Sequence, residues 1–514
     1  MLLCVLLIII SIVSNYSHNN LPKIELKLLD TNQRVFIDNS GRELHFHGVN
    51  SIVKGFPYVP LADKFDVDIS LSEEDHLALE SLGVNVYRLG IMWKGAEPIK
   101  GEFNQTYFNI IRKITEAAAE HNIYTIFDLH QDVISEKYCG EGVPDWIIND
   151  DNNNFPKPKG DAFVNVASDG YPTREDCSKY SWSSYYGTES VSKAFGALYS
   201  ADYYLNDWKN YWGEVARQFN DLNSVLGYEL INEPWAGDVF SDPLLLIPSV
   251  SDKKVLQPAY DTVVPEIRKY DNRTLILFAG VTWDDIVPVG FDHAPDGNSG
   301  QSVFAYHYYH WPQYDPESYF IQRENDAQRL GTGMFLSEFE RPLNNDDFDN
   351  DTFVKVADVA DFHQVSYTLW EYKTFCIETN ETLNSDSQAA AYGSCKTGYG
   401  ERLIFNENGQ LNPDACKKIA RTYPQKVAGR TKSIKFDAKT GYFELSWILD
   451  TSITLPTEIF AHMELYYPNG IDVNIMPFNT MEWQHSLVRK NILEIHSKSH
   501  AANGSRITIT IKPL

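Results

Sequence analysis

Between residues 44 and 372 short apolar runs alternate with longer amphipathic stretches. Eight runs predict strands: Leu44–Ser51, Asn85–Trp93, Tyr124–His130, Leu226–Pro234, Thr274–Gly280, Ser302–Tyr309, Met334–Glu340 and Ser366–Tyr372. Most are continuously apolar and turn polar at the C-terminal end, as parallel strands buried on both faces do. Between them, Ser72–Leu82, Tyr107–His121, Asp202–Leu222 and Gln257–Tyr270 predict helices. Ser72 opens Ser-Glu-Glu-Asp, an N-cap with acids in the first turn. Eight such alternations predict an α/β fold, a (β/α)8 TIM barrel with insertions. The competing doubly wound open sheet lacks its Gly-x-Gly-x-x-Gly after the first strand.

After about Pro424 the period changes to two. Tyr442–Asp450, Thr457–Leu465, Ile492–Ser497 and Arg506–Lys512 alternate apolar and polar residues, which predicts a C-terminal antiparallel β-sandwich domain. The expected division is a signal peptide at 1–17, a catalytic barrel at 25–425 and the sandwich at 426–514. One insertion stands out. Gln131 to Ala201 separates the third and fourth strands and carries Gly140-Glu-Gly-Val-Pro-Asp-Trp146 and Ser181-Trp-Ser-Ser-Tyr-Tyr-Gly187. A connection this long is usually functional or disordered, and its aromatic content argues for order.

The chain has 514 residues and a net charge of −26, which excludes binding to nucleic acid or an anionic membrane through a basic patch. Its 11 Trp, 30 Tyr and 27 Phe suit a large core and, at a few positions, sugar faces. The run from Met1 to Ser14 is too short to span a bilayer and fits a secretory h-region, with Ser14 or Ser17 as cleavage points. It lacks a positive n-region, so an uncleaved anchor is the alternative. Sequons at Asn15, Asn104, Asn272, Asn350, Asn380 and Asn503 agree with a secreted or lysosomal, digestive-lumen location. In an oxidising compartment Cys139 and Cys177 form a plausible pair, and two of Cys376, Cys395 and Cys416 another.

A barrel places its active site at the C-terminal strand ends. Arg88 stands near the end of the second strand, and Asp128-Leu-His130-Gln-Asp132 ends the third. Asn232-Glu233-Pro234-Trp235 ends the fourth, His307-Tyr-Tyr309 the sixth, Ser337-Glu338-Phe-Glu340 the seventh and Trp370-Glu371 the eighth. Glycoside hydrolysis needs two facing carboxyl groups, about 5–5.5 Å apart for retention and ~6.5–9.5 Å for inversion. Glu233 from the fourth strand and a glutamate from the seventh can supply them. The like charge beside the acid is expected to raise its pKa. Asn232 is placed to bond a sugar 2-hydroxyl, Arg88 and Tyr309 to hold Glu338 ionised, and His130 and His307 to bind hydroxyls or tune the acid. Trp370 is placed as a floor under the reacting ring. Each residue alone reads equally as an ion pair or core; six strands presenting such groups at one end favour a site. Spacing does not choose between Glu338 and Glu340, which share a side of a regular strand. No His-Glu-x-x-His or Gly-x-Ser-x-Gly occurs, so no metal site, cofactor or serine nucleophile is expected.

These strand ends resemble glycoside hydrolase family 5. Asn232-Glu233-Pro234 is similar to its acid/base signature and Ser337-Glu338-Phe339 to its nucleophile strand, and His307-x-Tyr309 and Trp370 also fit. The resemblance resolves the ambiguity in favour of Glu338. Within the family, Gly48-Val-Asn-Ser-Ile-Val-Lys54, the Arg88–Pro98 stretch, Asp128-Leu-His-Gln-Asp-Val133, Gly142-Val-Pro-Asp-Trp146 and Asn232-Glu-Pro-Trp-Ala-Gly-Asp238 resemble the endoglycoceramidases. That resemblance implies cleavage of the β-glucosyl bond between an intact oligosaccharide and ceramide, with Lys54 and Asp132 binding the glucose beside it. Glu340 departs from the pattern, where Gly is common, and a carboxylate there is expected to shift the pH optimum or sugar contacts. Apolar residues in Val239–Val250 are expected either to line the lipid side or to join the core. The expected partners are a glycosphingolipid and, transiently, a lipid or micelle surface; the chain is expected to be a monomer. The alternatives are a β-glucosidase or glucanase of the same family, acting on glucosylceramide, steryl glucoside or a polysaccharide, and a non-catalytic glycolipid-binding protein.

Overall fold

The computed structural model describes residues 21–148, 171–375 and 403–514, except positions 173, 178, 283–285, 298, 299, 311, 374 and 407. The expected signal peptide, the sequons at Asn15 and Asn380, and Cys376 and Cys395 lie outside the described residues. Three short strands come first: β1 (Glu25–Leu28), β2 (Arg34–Ile37) and β3 (Glu43–Leu44). Eight parallel strands then close into a barrel: β4 (His47–Ser51), β5 (Val86–Gly90), β6 (Tyr124–Asp128), β7 (Val225–Glu229), β8 (Leu275–Phe278), β9 (Ser302–Tyr308), β10 (Gly333–Phe339) and β11 (Ser366–Leu369). The last strand pairs with the first through Tyr367, Thr368 and Leu369 against His47, Gly48 and Val49. This closure rules out the open sheet. All eight expected strands are present, and most stop sooner than the pattern predicts, because the polar residues at their C-terminal ends leave the ladder to form the barrel mouth.

Alternation along the strands sorts the interior into tiers. Val86, Ile126, Leu277, Val303 and Phe335 form a dry lower tier. Leu26 of β1 and Phe36 of β2 cap it from below. The Phe36 ring meets Phe46 edge-on at 5.4 Å and Phe335 at 6.4 Å. The first hairpin is thus a plug in the floor of the barrel. One step higher on β5, β6 and β7 stand Arg88, Asp128 and Glu229, all buried.

The C-terminal region adds β12 (Tyr423–Val427), β13 (Gly429–Phe436), β14 (Phe443–Leu449), β15 (Thr457–Phe460), β16 (Ile471–Met476), β17 (Met481–His485), β18 (Ile492–Ser497) and β19 (Arg506–Pro513). They form two sheets, ordered β13-β14-β19-β16 and β1-β2-β3-β12-β15-β18-β17. The second takes its first three strands from ahead of the barrel: Leu44 and Glu43 pair with Lys426 and Val427. The expected division after residue 425 therefore falls inside β12. His47, at the foot of β4, stacks against Tyr367 at 4.2 Å and Tyr423 at 3.7 Å, joining barrel to sheet. The strand expected over Thr457–Leu465 ends at Phe460. His462 there caps a short helix, its Nδ1 accepting the Leu465 N–H at 3.2 Å. Polar composition conceals β13, with Arg430, Lys432 and Lys435, and the edge strand β17, where only Met481 is buried.

Cys139 and Cys177 form the expected disulfide. Cys416 is a buried free thiol. Asn104, Asn272, Asn350 and Asn503 are exposed. No helix among the described residues is long and apolar enough to cross a membrane. Phe36→Ala is expected to cost about 3–5 kcal/mol of stability, the range for emptying a buried aromatic site. Urea denaturation followed by tryptophan fluorescence measures it, and an unchanged midpoint would remove the plug from the account.

Candidate active site

One buried cation begins the site. The Arg88 guanidinium, fully buried, reaches three carboxylates. Its Nε donates to Glu229 at 2.7 Å and its Nη1 to Glu338 at 2.6 Å, while Nη2 lies 3.0 Å from Asp128. It also donates to Asn50 at 2.9 Å and Asn232 at 2.8 Å. A planar fork of five donors suits this task, and a lysine would not satisfy it. Burial opposes the charge, but the three carboxylates hold Arg88 protonated far above its ordinary range. Burial pushes Glu229 upward, against Arg88 and with the help of Asp128.

A bulge aims Glu338. Strict alternation would put Leu336 and Glu338 on one face, and Leu336 faces the outer core. The register of β10 on β9 shifts between Leu336 and Glu338. Ser337 is taken up in that shift and donates inward to Glu229 at 3.2 Å. Glu338 consequently turns into the mouth, where the Tyr309 hydroxyl donates to its Oε2 at 3.0 Å. Re-aiming a side chain is a common use of bulges beside active sites. Glu340 ends outside: it is exposed, and the groups acting on it are Asp351, Thr352 and Arg341. Glu338 is the inward member, and Glu340, expected to shift the pH optimum or the sugar contacts, lies outside the mouth.

Glu233 follows β7 at φ 38°, a left-handed conformation that residues with a side chain rarely adopt. Such backbone costs about 1–3 kcal/mol and persists only where neighbours fix it. Gln131 does so, its Nε2 donating to the carbonyls of Asn232 at 2.7 Å and Glu233 at 3.0 Å. The Glu233 carboxyl meets His307 Nδ1 at 2.7 Å, and the same nitrogen lies 3.5 Å from Glu338. Burial lowers the His307 pKa despite Glu338 beside it, so the ring is neutral near pH 7. One carboxylate oxygen of Glu233 lies within 4.8 Å of one of Glu338. That separation fits direct attack on a sugar carbon, with no room for a water between the sugar and the second carboxylate.

A second cluster is built around Lys54. Lys54 pairs with Asp132 and, at 3.0 Å, with Glu141. The insertion delivers Glu141 between two glycines. A Cβ on Gly140 would lie 2.0 Å from the Asp132 carbonyl, and one on Gly142, at φ 109°, would lie 2.2 Å from that of His130. His130 bonds Asp128 at 2.8 Å and stacks on Trp370 at 5.3 Å. Burial alone would discharge His130, but Asp128 and Asp132 raise its pKa to about 10. Lys54 Nζ sits 5.0 Å from the Trp370 ring centre. Trp370 thus carries a cation on His130 and another on Lys54, contacts that suit an electron-rich ring.

Ten of the residues singled out in the sequence are brought together here: Lys54, Arg88, His130, Asp132, Asn232, Glu233, His307, Tyr309, Glu338 and Trp370. The sequence reading passes over Asn50, Gln131, Glu141 and Glu229. Glu229 had a signal, a lone charge inside the apolar run of a strand buried on both faces.

The cellulase model of glycosyl hydrolase family 5 matches residues 66–375, and the family 5 C-terminal domain model matches residues 421–511. This chain belongs to glycoside hydrolase family 5. An endoglycoceramidase of Cyanea nozakii is 38% identical over 482 residues, covering 92% of this chain and 91% of that protein. An endoglycoceramidase of Hydra vulgaris is 40% identical over 450 residues, covering 86% and 82%. Endo-glycoceramidase II from Rhodococcus sp., solved with ganglioside GM3, shares the fold with a TM-score of 0.71 at 19% identity, over 93% of this chain and 99% of that one. The bulge at Ser337 and the strained Glu233 are thus features of a family 5 hydrolase, an enzyme acting on O-glycosyl bonds.

Removing Arg88 from this family 5 site leaves three carboxylates without their cation. Arg88→Met is expected to cost about 3–5 kcal/mol, and Arg88→Lys to recover only part of it. Chemical denaturation measures the loss; a Met variant as stable as the wild type would contradict it.

Proposed function

We propose that this chain is a retaining endo-glycosidase that releases the intact glycan of a glycosphingolipid from its ceramide. The approach of Glu233 and Glu338 to within 4.8 Å carries the reading of mechanism. Glu233 protonates the glycosidic oxygen while Glu338 attacks the anomeric carbon, and the ceramide leaves as an alcohol. Glu233, now a carboxylate, takes a proton from water. That water displaces Glu338 and restores both groups. Arg88 and Tyr309 orient the attacking oxygens, Asn232 stands beside the ring, and His307 bridges the two acids. Lys54, Asp132, His130 and Trp370 hold the sugar on the glycan side.

The endoglycoceramidase names of the Cyanea and Hydra proteins support ceramide as the leaving group. So does the loop after Glu233. Because Glu233 serves the leaving oxygen, the chain that follows it borders the aglycone. Ser192 ties this loop to the insertion, donating to the Gly237 carbonyl at 2.7 Å and accepting the Val239 N–H at 2.9 Å. Beyond that tie, Phe240, Leu244, Leu246 and Ile247 are exposed, Leu244 by 59%, rather than joining the core. Exposed apolar side chains on this loop suit alkyl chains or the micelle that presents them. The apolar N-terminal run and the exposed sequons support a secreted or lysosomal, digestive-lumen setting.

Glu233→Gln is expected to lower turnover of lactosylceramide 10²–10⁴-fold, the usual contribution of a positioned acid. Glu338→Gln is expected to lower it by at least as much, both with unaltered circular dichroism. Mass analysis of wild-type products should find lactose and ceramide. Release of glucose from glucosylceramide alone would instead favour an ordinary β-glucosidase. The lipid side has its own test. Leu244→Asp with Ile247→Asp is expected to raise KM for micellar lactosylceramide roughly tenfold while KM for a soluble aryl β-lactoside stays within about twofold, where tenfold corresponds to 1.4 kcal/mol.

A further inference from the structure

Beyond the acid pair, the mouth contains a third glutamate with an unusual environment. Glu371 follows Trp370 at the end of β11 and is only 4% exposed. Its backbone is fixed on both sides. The Trp370 N–H donates to the Phe339 carbonyl at 2.8 Å, and the Tyr372 N–H donates to the Asn50 carbonyl at 3.0 Å. The seventh and first barrel strands therefore set where the side chain lies. Its Oε2 is sealed from solvent and has no hydrogen-bond partner among the described residues. Buried carboxyl groups with a structural task are almost always hydrogen-bonded. The charged groups acting on Glu371 are Lys54, His130, Glu338 and Arg341. Two of these four belong to the Lys54–Asp132–His130 cluster, and a third, Glu338, is the inward glutamate of β10.

We propose that Glu371 is a sugar-contacting specificity residue whose carboxyl group bonds a hydroxyl of the glycan. The inference rests on the reading of this mouth as a glycan site. A carboxylic acid both donates and accepts, and so does a sugar hydroxyl; the two match in both directions. Neither the guanidinium of Arg88 nor the ammonium of Lys54 can do this, since both only donate. Burial, opposed by Lys54 and His130 and reinforced by Glu338, pushes the Glu371 carboxyl up to about 8. It is thus protonated at neutral pH, and above that value it loses its donor and can only accept. A buried carboxylate covered by a sugar would then lack its donor and part of its solvation.

The test is calorimetric titration of lactose into the wild-type chain, Glu371→Gln and Glu371→Ala between pH 6 and 9, with no dependence on turnover. Glutamine keeps one acceptor and one donor at every pH. Glu371→Gln is expected to bind within about twofold of wild type at pH 6–7 and to lose the weakening that wild type shows above pH 8. Glu371→Ala is expected to bind roughly five- to tenfold more weakly at pH 6–7, the worth of about one hydrogen bond. A structural role alone would lower thermal stability in both variants without this difference in pH dependence. Lactose affinity unchanged in Glu371→Ala, or an alkaline weakening retained in Glu371→Gln, overturns the assignment of Glu371 and leaves the glycan site standing. Absence of lactose binding by wild type overturns the glycan site and Glu371 together.

Discussion

One guanidinium at the centre of the barrel organises the catalytic end. Arg88 is sealed from water and contacts Asp128, Glu229 and Glu338 from three different strands. Three negative charges against one positive would be untenable in a dry interior, and the imbalance is shared outward. His130, held protonated, answers Asp128, and Glu229 is raised by its surroundings. The arrangement ties Glu338 of β10 to the adjacent strands β5, β6 and β7 across the barrel. It also explains why the polar tier lies directly above an apolar one: the lower tier excludes the water that would weaken these contacts.

Two local departures from regular backbone set the distance between the acids. The register shift at Ser337 turns Glu338 inward, and the positive φ of Glu233 swings its carboxyl out of the strand direction. Neither is favourable in isolation. Each is held by side chains of a neighbouring segment, Glu229 through Ser337 and Gln131 through two carbonyls. Since Gln131 is the first residue of the long insertion, the loop that delivers Glu141 also positions Glu233.

The barrel strands were legible because each is buried on both faces, so its residues are apolar without interruption. The facing of Glu233 and Glu338 was legible because both glutamates occur where such a run turns polar. Spacing failed at Glu340, since the period-two rule assumes a regular strand and the shift at Ser337 breaks it. Glu229 was overlooked because its role appears only opposite Arg88, on another strand. The pairing of Leu44 with Lys426 was beyond reach, for no local pattern encodes a register between segments so distant in sequence. Edge strands such as β17, with one buried residue, carry almost no signal.

That distant pairing constrains biosynthesis. A nascent chain can assemble the eight barrel strands while β12 to β19 are still being translated, yet β3 has no partner on its outer edge until Tyr423–Val427 emerges. Until then an unpaired strand edge sits next to the aromatic floor of the barrel, open to annealing with another unfinished chain. The outer edge of β3 is covered only once β12 has been made, which gives the C-terminal region a protective task during synthesis.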